Sequence, residues 1–80
     1  MNYTINLFGI TREIVGVSQY QLTLDSPANV TTLLGHLKEE FPALKQIKSL
    51  LVAVNSEYAN PEQAILPSDE IALIPPVSGG

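Results

Sequence analysis

Asn29-Val30-Thr31-Thr32-Leu33-Leu34-Gly35-His36-Leu37-Lys38-Glu39-Glu40-Phe41-Pro42 carries the one strong helical period in the sequence. Val30, Leu33, Leu34, Leu37 and Phe41 fall at i, i+3, i+4, i+7 and i+11, a single apolar stripe along an α-helix. Asn29 is placed to cap it, because its side-chain oxygen can accept from an orphan N–H of the first turn. Pro42 ends it at or before Phe41, since a residue preceding proline is pushed out of helical angles. Gly35 costs about 1 kcal/mol against alanine in a helix interior, and nothing in the sequence accounts for it. One striped helix needs one apolar surface to cover, and the flanking segments supply strands.

On the N-terminal side the period is two. Tyr3, Ile5 and Leu7 alternate with Thr4 and Asn6, so residues 3–8 read as a half-buried strand. Thr11-Arg12-Glu13-Ile14-Val15 reads as a short helical connector stopped by Gly16. Residues 19–25 alternate again, with Tyr20, Leu22 and Leu24 on one face, and this strand is expected to pair antiparallel with the first until Pro27 breaks the pattern. On the C-terminal side, Leu50-Leu51-Val52-Ala53-Val54 is an apolar, β-branched run of strand length. Asn55-Ser56 reads as a turn and Glu57-Tyr58 as a brief returning strand; Asn60-Pro61 and Pro67-Ser68-Asp69 punctuate a loop-rich stretch. Glu70 to Ile74 is the last strand, Ile71 and Leu73 facing one way, Ala72 and Ile74 the other. Strand, strand, helix, strand, short strand, strand is an α+β two-layer order. A β-grasp satisfies it, with a mixed four- to five-stranded sheet on one main helix. A split β-α-β fold fits less well, because it needs a second strong helix.

Eighty residues allow one small domain. With 45% hydrophobic and 15% charged residues the chain is globular in composition. Eight acidic residues against four basic ones, net −4, argue against nucleic-acid binding, which needs a basic stripe to displace counterions. The lack of cysteine excludes disulfides, a catalytic thiol, a persulfide carrier and a thiolate metal site. No signal-peptide pattern precedes Ile5, and no apolar run approaches membrane-spanning length. The expectation is a cytoplasmic protein that meets neither membrane nor nucleic acid, and that binds no metal or cofactor of its own.

After Ile74 the character changes. A body of residues 1–74 is followed by Pro75-Pro76-Val77-Ser78-Gly79-Gly80. Pro75 and Pro76 donate no ladder hydrogen bonds and hold the backbone extended; Ser78, Gly79 and Gly80 are slim. From Ile74 to Gly80 the chain reaches at most ~23 Å. A free carboxylate is a poor electrophile and needs activation, typically as an acyl-adenylate, in a site closed to water. A thread without Cβ atoms can enter such a site. Ordering it costs entropy, which the body must offset by docking elsewhere. The pattern fits a carrier with Gly80 as reacting residue and Gly79 as the clearance beside it. A terminal Gly-Gly alone would equally fit a frayed end.

Three stretches resemble one known family, the molybdopterin synthase small subunits, which are ubiquitin-like sulfur carriers. Leu7-Phe8-Gly9-Ile10-Thr11-Arg12-Glu13-Ile14-Val15-Gly16 is similar to that family's first strand and the "RE-L/I-VG" segment after it. Leu51-Val52-Ala53-Val54-Asn55 resembles its central "AVN" strand, and Asp69 to Gly80 resembles its "DEVA…PPV(S/T)GG" ending. Thiamine-pathway carriers share the fold and the Gly-Gly but usually lack Pro-Pro here. The resemblance implies a β-grasp carrier in molybdenum cofactor biosynthesis, without catalysis of its own. An E1-like enzyme using ATP and Mg would adenylate Gly80. A sulfur donor would then form a thiocarboxylate there, and the tail would deliver sulfur to cyclic pyranopterin monophosphate in the large synthase subunit, within a heterotetramer. It also implies an apolar docking surface at Phe8 and Ile74, with Arg12 as a polar contact and Pro75, Pro76 and Val77 leading into the partner. Ile74 stands where the family often has an aromatic residue.

No rival constellation is present. His36 lies off the helical stripe with no clustered ligand or base, and Ser18, Ser26 and Ser78 have no evident activating base. Glu39-Glu40 reads as a solvated helix end, Asp69-Glu70 as a turn and strand start. Three classes stay open: a sulfur carrier of this or another pathway (thiamine or tRNA thiolation), a ubiquitin-like modifier joined to lysines through Gly80, and an interaction module with an inert tail.

Overall fold

Alternating and helical segments assemble into two layers in the computed structural model, which describes residues 1–75. Strand β1 (Asn2–Leu7) leads into a one-turn-and-a-half helix α1 (Ile10–Val15), then β2 (Gln19–Thr23), β3 (Ala28–Asn29) and the main helix α2 (Val30–Glu40). A 3-10 turn (Pro42–Gln46) precedes β4 (Leu51–Val54), β5 (Glu57–Tyr58), β6 (Ala64–Ile65) and β7 (Ile71–Ile74). Five strands form one mixed sheet in the order β2-β1-β7-β4-β5, while β3 and β6 make a separate two-stranded ribbon. This is the β-grasp arrangement. The first and last strands lie side by side and parallel, Ile5 opposite Ile71 and Leu7 opposite Leu73, and the other contacts of the main sheet are antiparallel.

The period-two reading fixes which side chains meet the helix. Tyr3, Ile5, Leu7, Leu22, Val52, Val54, Ile71 and Leu73 are buried on the inner face, against Val30, Leu33 and Leu37 of α2 and Leu44 of the 3-10 turn. Full burial of one such aliphatic side chain contributes roughly 1.5–3 kcal/mol. An 11-residue helix has little stability alone, so this packing is what forms α2.

Both ends of α2 follow the sequence expectation, with additions from distant segments. Asn29 Oδ1 accepts from Thr32 N–H at 2.8 Å. The two preceding N–H groups, of Val30 and Thr31, donate to the carbonyls of Gln63 and Pro61, both at 3.0 Å. The stretch read as loop-rich therefore terminates the helix electrostatically, satisfying donors that no helix can satisfy internally. At the other end Phe41 is the cap residue rather than a further member of the stripe; half-buried, it stands edge-on to Tyr20 at 5.2 Å between ring centroids. Pro42 opens the 3-10 turn that follows.

Turn chemistry joins the remaining pieces. Asn55 and Ser56 both have positive φ, 53° and 70°, as a two-residue hairpin between right-twisted strands requires. Asn55 also accepts from Glu70 N–H at 2.9 Å and donates through Nδ2 to Asp69 Oδ1 at 3.0 Å. Asp69 Oδ2 in turn accepts from Leu66 N–H at 2.8 Å. The Asp69-Glu70 pair is thus a clip between the β4–β5 turn and the start of β7.

Two substitutions test this packing. Tyr3 is fully buried, and its hydroxyl accepts from Ala28 N–H at 3.2 Å. Tyr3→Phe leaves that donor without a partner and is expected to lower unfolding free energy by about 1–3 kcal/mol in a urea titration. Gly35 has ordinary helical φ, and a Cβ built on it meets no atom within 4 Å. Gly35→Ala is therefore expected to raise stability by up to ~1 kcal/mol.

Candidate functional site: the outer face of the sheet

The face of the sheet turned away from α2 is divided. On β1 and β2 it is polar, as expected where alternate residues meet water. Gln19 Nε2 donates to Asn6 Oδ1 at 3.0 Å, and Thr23 Oγ1 donates to Asn2 Oδ1 at 2.6 Å. From β7 to β5 it is apolar. The register places Ala72 opposite Ala53, Ala53 opposite Tyr58, and Ile74 opposite Leu51. One step beyond Leu7↔Leu73, the parallel ladder brings Phe8 beside Ile74. Phe8, Ala53, Tyr58, Ala72 and Ile74 line a shallow groove with Asn6, Ser56 and Glu70 at its margins. Phe8 is 52% exposed, Leu51 47% and Tyr58 69%. Large apolar side chains gathered on one face at such exposure mark an interaction surface.

The segment after β1 sets the position of Phe8. Thr11, fully buried, donates through Oγ1 to Phe8 C=O at 2.6 Å, and the same oxygen accepts from Phe8 N–H at 3.0 Å. Gly9 has φ 56° and ψ −132°, a conformation that side chains resist, and turns the chain into α1. One more step along the ladder brings Gly9 to Pro75, where a Cβ would lie 3.1 Å from the proline Cγ. The end of the described chain thus rests against a residue that has no side chain.

Of the residues singled out in the sequence, Phe8, Ile74 and Pro75 come together here. Arg12 is exposed on α1, four residues beyond Phe8, and not in the groove. Pro76, Val77, Ser78, Gly79 and Gly80 lie outside the described residues. Leu51, Ala53, Tyr58, Ala72, Gly9 and Thr11 were not identified from sequence. The two faces read in β7 carry a signal for Ala72, the uniformly apolar run of β4 carries none for Ala53, and Phe8-x-x-Thr11 is the spacing of a local hydroxyl–backbone turn. Leu51 and Tyr58 needed the strand order. His36 is exposed on α2, remote from the groove. Among the described residues no group of three or more His, Cys, Asp or Glu side chains is arranged to hold a metal ion, and no helix is long and apolar enough to cross a membrane.

A β-grasp domain with an apolar outer face, ending beside that face, is the class these features define. The chain belongs to the ThiS family, whose model matches residues 5–80. It is 37% identical over 75 residues to the molybdopterin synthase sulfur carrier subunit of Arabidopsis thaliana, covering 92% of this chain and 78% of that one. It is 40% identical over 77 residues to the protein of that name from Haemophilus influenzae, covering 91% and 93%. Among solved structures, SAMP1 from Haloferax volcanii superimposes with a TM-score of 0.84 at 30% identity, over 100% of both chains.

Two variants separate positioning from exposure. Thr11→Val removes both hydrogen bonds to Phe8 and is expected to lower stability by about 1–3 kcal/mol, with faster hydrogen exchange at the Phe8 amide. Phe8→Asp is expected to leave the unfolding free energy within about 0.5 kcal/mol of the parent in a urea titration, because that ring is already half in water.

Proposed function

We propose that this protein is the sulfur-carrier subunit of a molybdopterin synthase, acting in molybdenum cofactor biosynthesis through Gly80. The observation that carries the reading is the agreement of two independent features. The relatives that share most of its length bear that name, and its own ladder delivers β7 and Pro75 to the edge of an exposed apolar face. The chain is not an enzyme by itself in this reading, and partners supply the catalysis.

The chemistry follows from a terminal carboxylate. An E1-like enzyme binds the outer face and draws residues 76–80 into its site. The Gly80 carboxylate attacks the α-phosphorus of MgATP, expelling pyrophosphate and leaving an acyl-adenylate. A sulfur nucleophile then attacks the acyl carbon and AMP departs: sulfide gives the thiocarboxylate directly, whereas a persulfide donor gives an acyl disulfide, from which a second thiol of the donor system releases the thiocarboxylate by forming a disulfide with the donor sulfur. The body next docks on the large synthase subunit, and the thiocarboxylate gives its sulfur to cyclic pyranopterin monophosphate, regenerating the carboxylate after hydrolysis. Gly79 and Ser78 supply the slimness the channel requires. Phe8 and Ile74 anchor both complexes, with Arg12 at their margin and Pro75, Pro76 and Val77 guiding the chain. No cofactor or metal is bound by the carrier, and its setting is the cytoplasm.

A second reading has its own support: the likeness to SAMP1, named elsewhere as a small archaeal modifier protein. The same adenylate attacked by a lysine amine instead of sulfur would join Gly80 to another protein.

Intact mass distinguishes the two. After incubation with an activating enzyme, MgATP and a sulfur source, the carrier is expected to gain the mass difference between one sulfur and one oxygen. Its absence with an activating enzyme proven on another carrier would refute the reading, whereas high-mass lysine adducts would favour the modifier. Deleting Gly80 should abolish charging while leaving the fold intact. Phe8→Asp should weaken binding to the large subunit by about tenfold or more, since exposed aromatic anchors dominate such interfaces.

A further inference from the structure

Helix α2 and the edge of the sheet enclose a second crevice, of about 370 Å³, distinct from the outer-face groove. Leu34, Gly35 and Lys38 form its helical wall; Leu50, Val52 and Ala59 form the other. The strand edge beside it ends abruptly. The β4–β5 hairpin pairs Val54 with Glu57 and Ala53 with Tyr58, and Ala59 N–H donates to Val52 C=O at 2.9 Å. Continued by the same register, the next main-chain partner of Leu50 would be Pro61. Proline has no N–H to give, and its carbonyl is taken by Thr31, whose N–H and Oγ1 lie at 3.0 and 2.8 Å. Among the described residues the ladder therefore stops at Val52, and Leu50 presents its edge to the crevice.

Gly35 is exposed, takes ordinary helical angles and faces open space, on the rim between this crevice and a shallower depression lined by Thr32, His36 and Glu39. Lys38, one turn along, puts a cation on a rim that is apolar apart from Thr31, on a chain of net charge −4. Among the described residues, a strand edge left open at Leu50, a largely apolar slot and a flanking cation share one complement.

We propose that this crevice is a docking site for an extended segment of a partner protein, which adds as a strand at Leu50. Its alternate apolar side chains enter between α2 and β4, and an acidic residue at one end pairs with Lys38. Main-chain hydrogen bonds would give affinity and the slot would give specificity. Leu51 lines the crevice and also stands opposite Ile74, but Phe8 and Ile74 are not part of the crevice. The inference does not rest on the sulfur-carrier reading.

The test uses the full chain, labelled with nitrogen-15, titrated with acetyl-Asp-Val-Ile-Val-amide and acetyl-Val-Ile-Val-Asp-amide. At least one is expected to bind with a dissociation constant on the order of 1 mM or tighter. Amide shifts should centre on Leu34, Gly35, Leu50 and Val52, and exchange at the Leu50 N–H should slow. Replacing the peptide's Asp by Lys should weaken binding about tenfold. Leu34→Asp, which puts a charge on the apolar helical wall, and Lys38→Glu, which reverses the rim charge, should each do the same while retaining the parent's spectrum elsewhere. No shifts from either peptide, shifts centred on Phe8, Tyr58 and Ala72, or equal affinity for the Lys peptides would overturn the proposal. So would concentration-dependent shifts at Leu50 without peptide, which would assign the edge to a second copy of the chain.

Discussion

The parallel contact between β1 and β7 is the constraint from which the rest of the architecture follows. Ile5 and Leu7 face Ile71 and Leu73 at the centre of the sheet, buried under α2. Two parallel neighbours cannot be joined by a tight turn, so the chain between them must cross the sheet. Helix α2 makes that crossing and covers the inner face as it goes. The same register continues past the buried pairs, bringing Phe8 to Ile74 and Gly9 to Pro75. Core packing and the point where the tail departs are consequences of one ladder.

That coupling suits a carrier. A carrier gains when the body that docks lies close to the group it presents, because less chain then has to be ordered on binding. Here Pro75 sits at the edge of the apolar half of the outer face, and Thr11 and Gly9 hold Phe8 at the same edge. The polar half, tied by Gln19 to Asn6 and Thr23 to Asn2, remains compatible with water. On the outer face of the sheet, apolar exposure is thus gathered on the half that adjoins Pro75.

Local pattern determined a large part of this protein. The alternation of Tyr3, Ile5 and Leu7, the stripe of Val30, Leu33 and Leu37, the Asn29 cap and the Asn55-Ser56 turn all depend on neighbours within a few residues, and each stands in the structure where its spacing puts it. The resemblance also implied that Phe8 and Ile74 share one surface, and the ladder sets them side by side. Three things came only from tertiary structure. The β3–β6 ribbon joins residues 35 or more positions apart and serves chiefly to satisfy the first turn of α2, a need that no local signal in 60–66 announces. Thr11 looks like an ordinary helix residue until its hydroxyl is seen closing on both backbone groups of Phe8. The full apolar face, with Leu51, Ala53, Tyr58 and Ala72 joined to Phe8, exists only once β7 is placed between β1 and β4. Period two states which residues share a face of their own strand, whereas strand order decides whose face lies beside it. Long-range pairing sets that order.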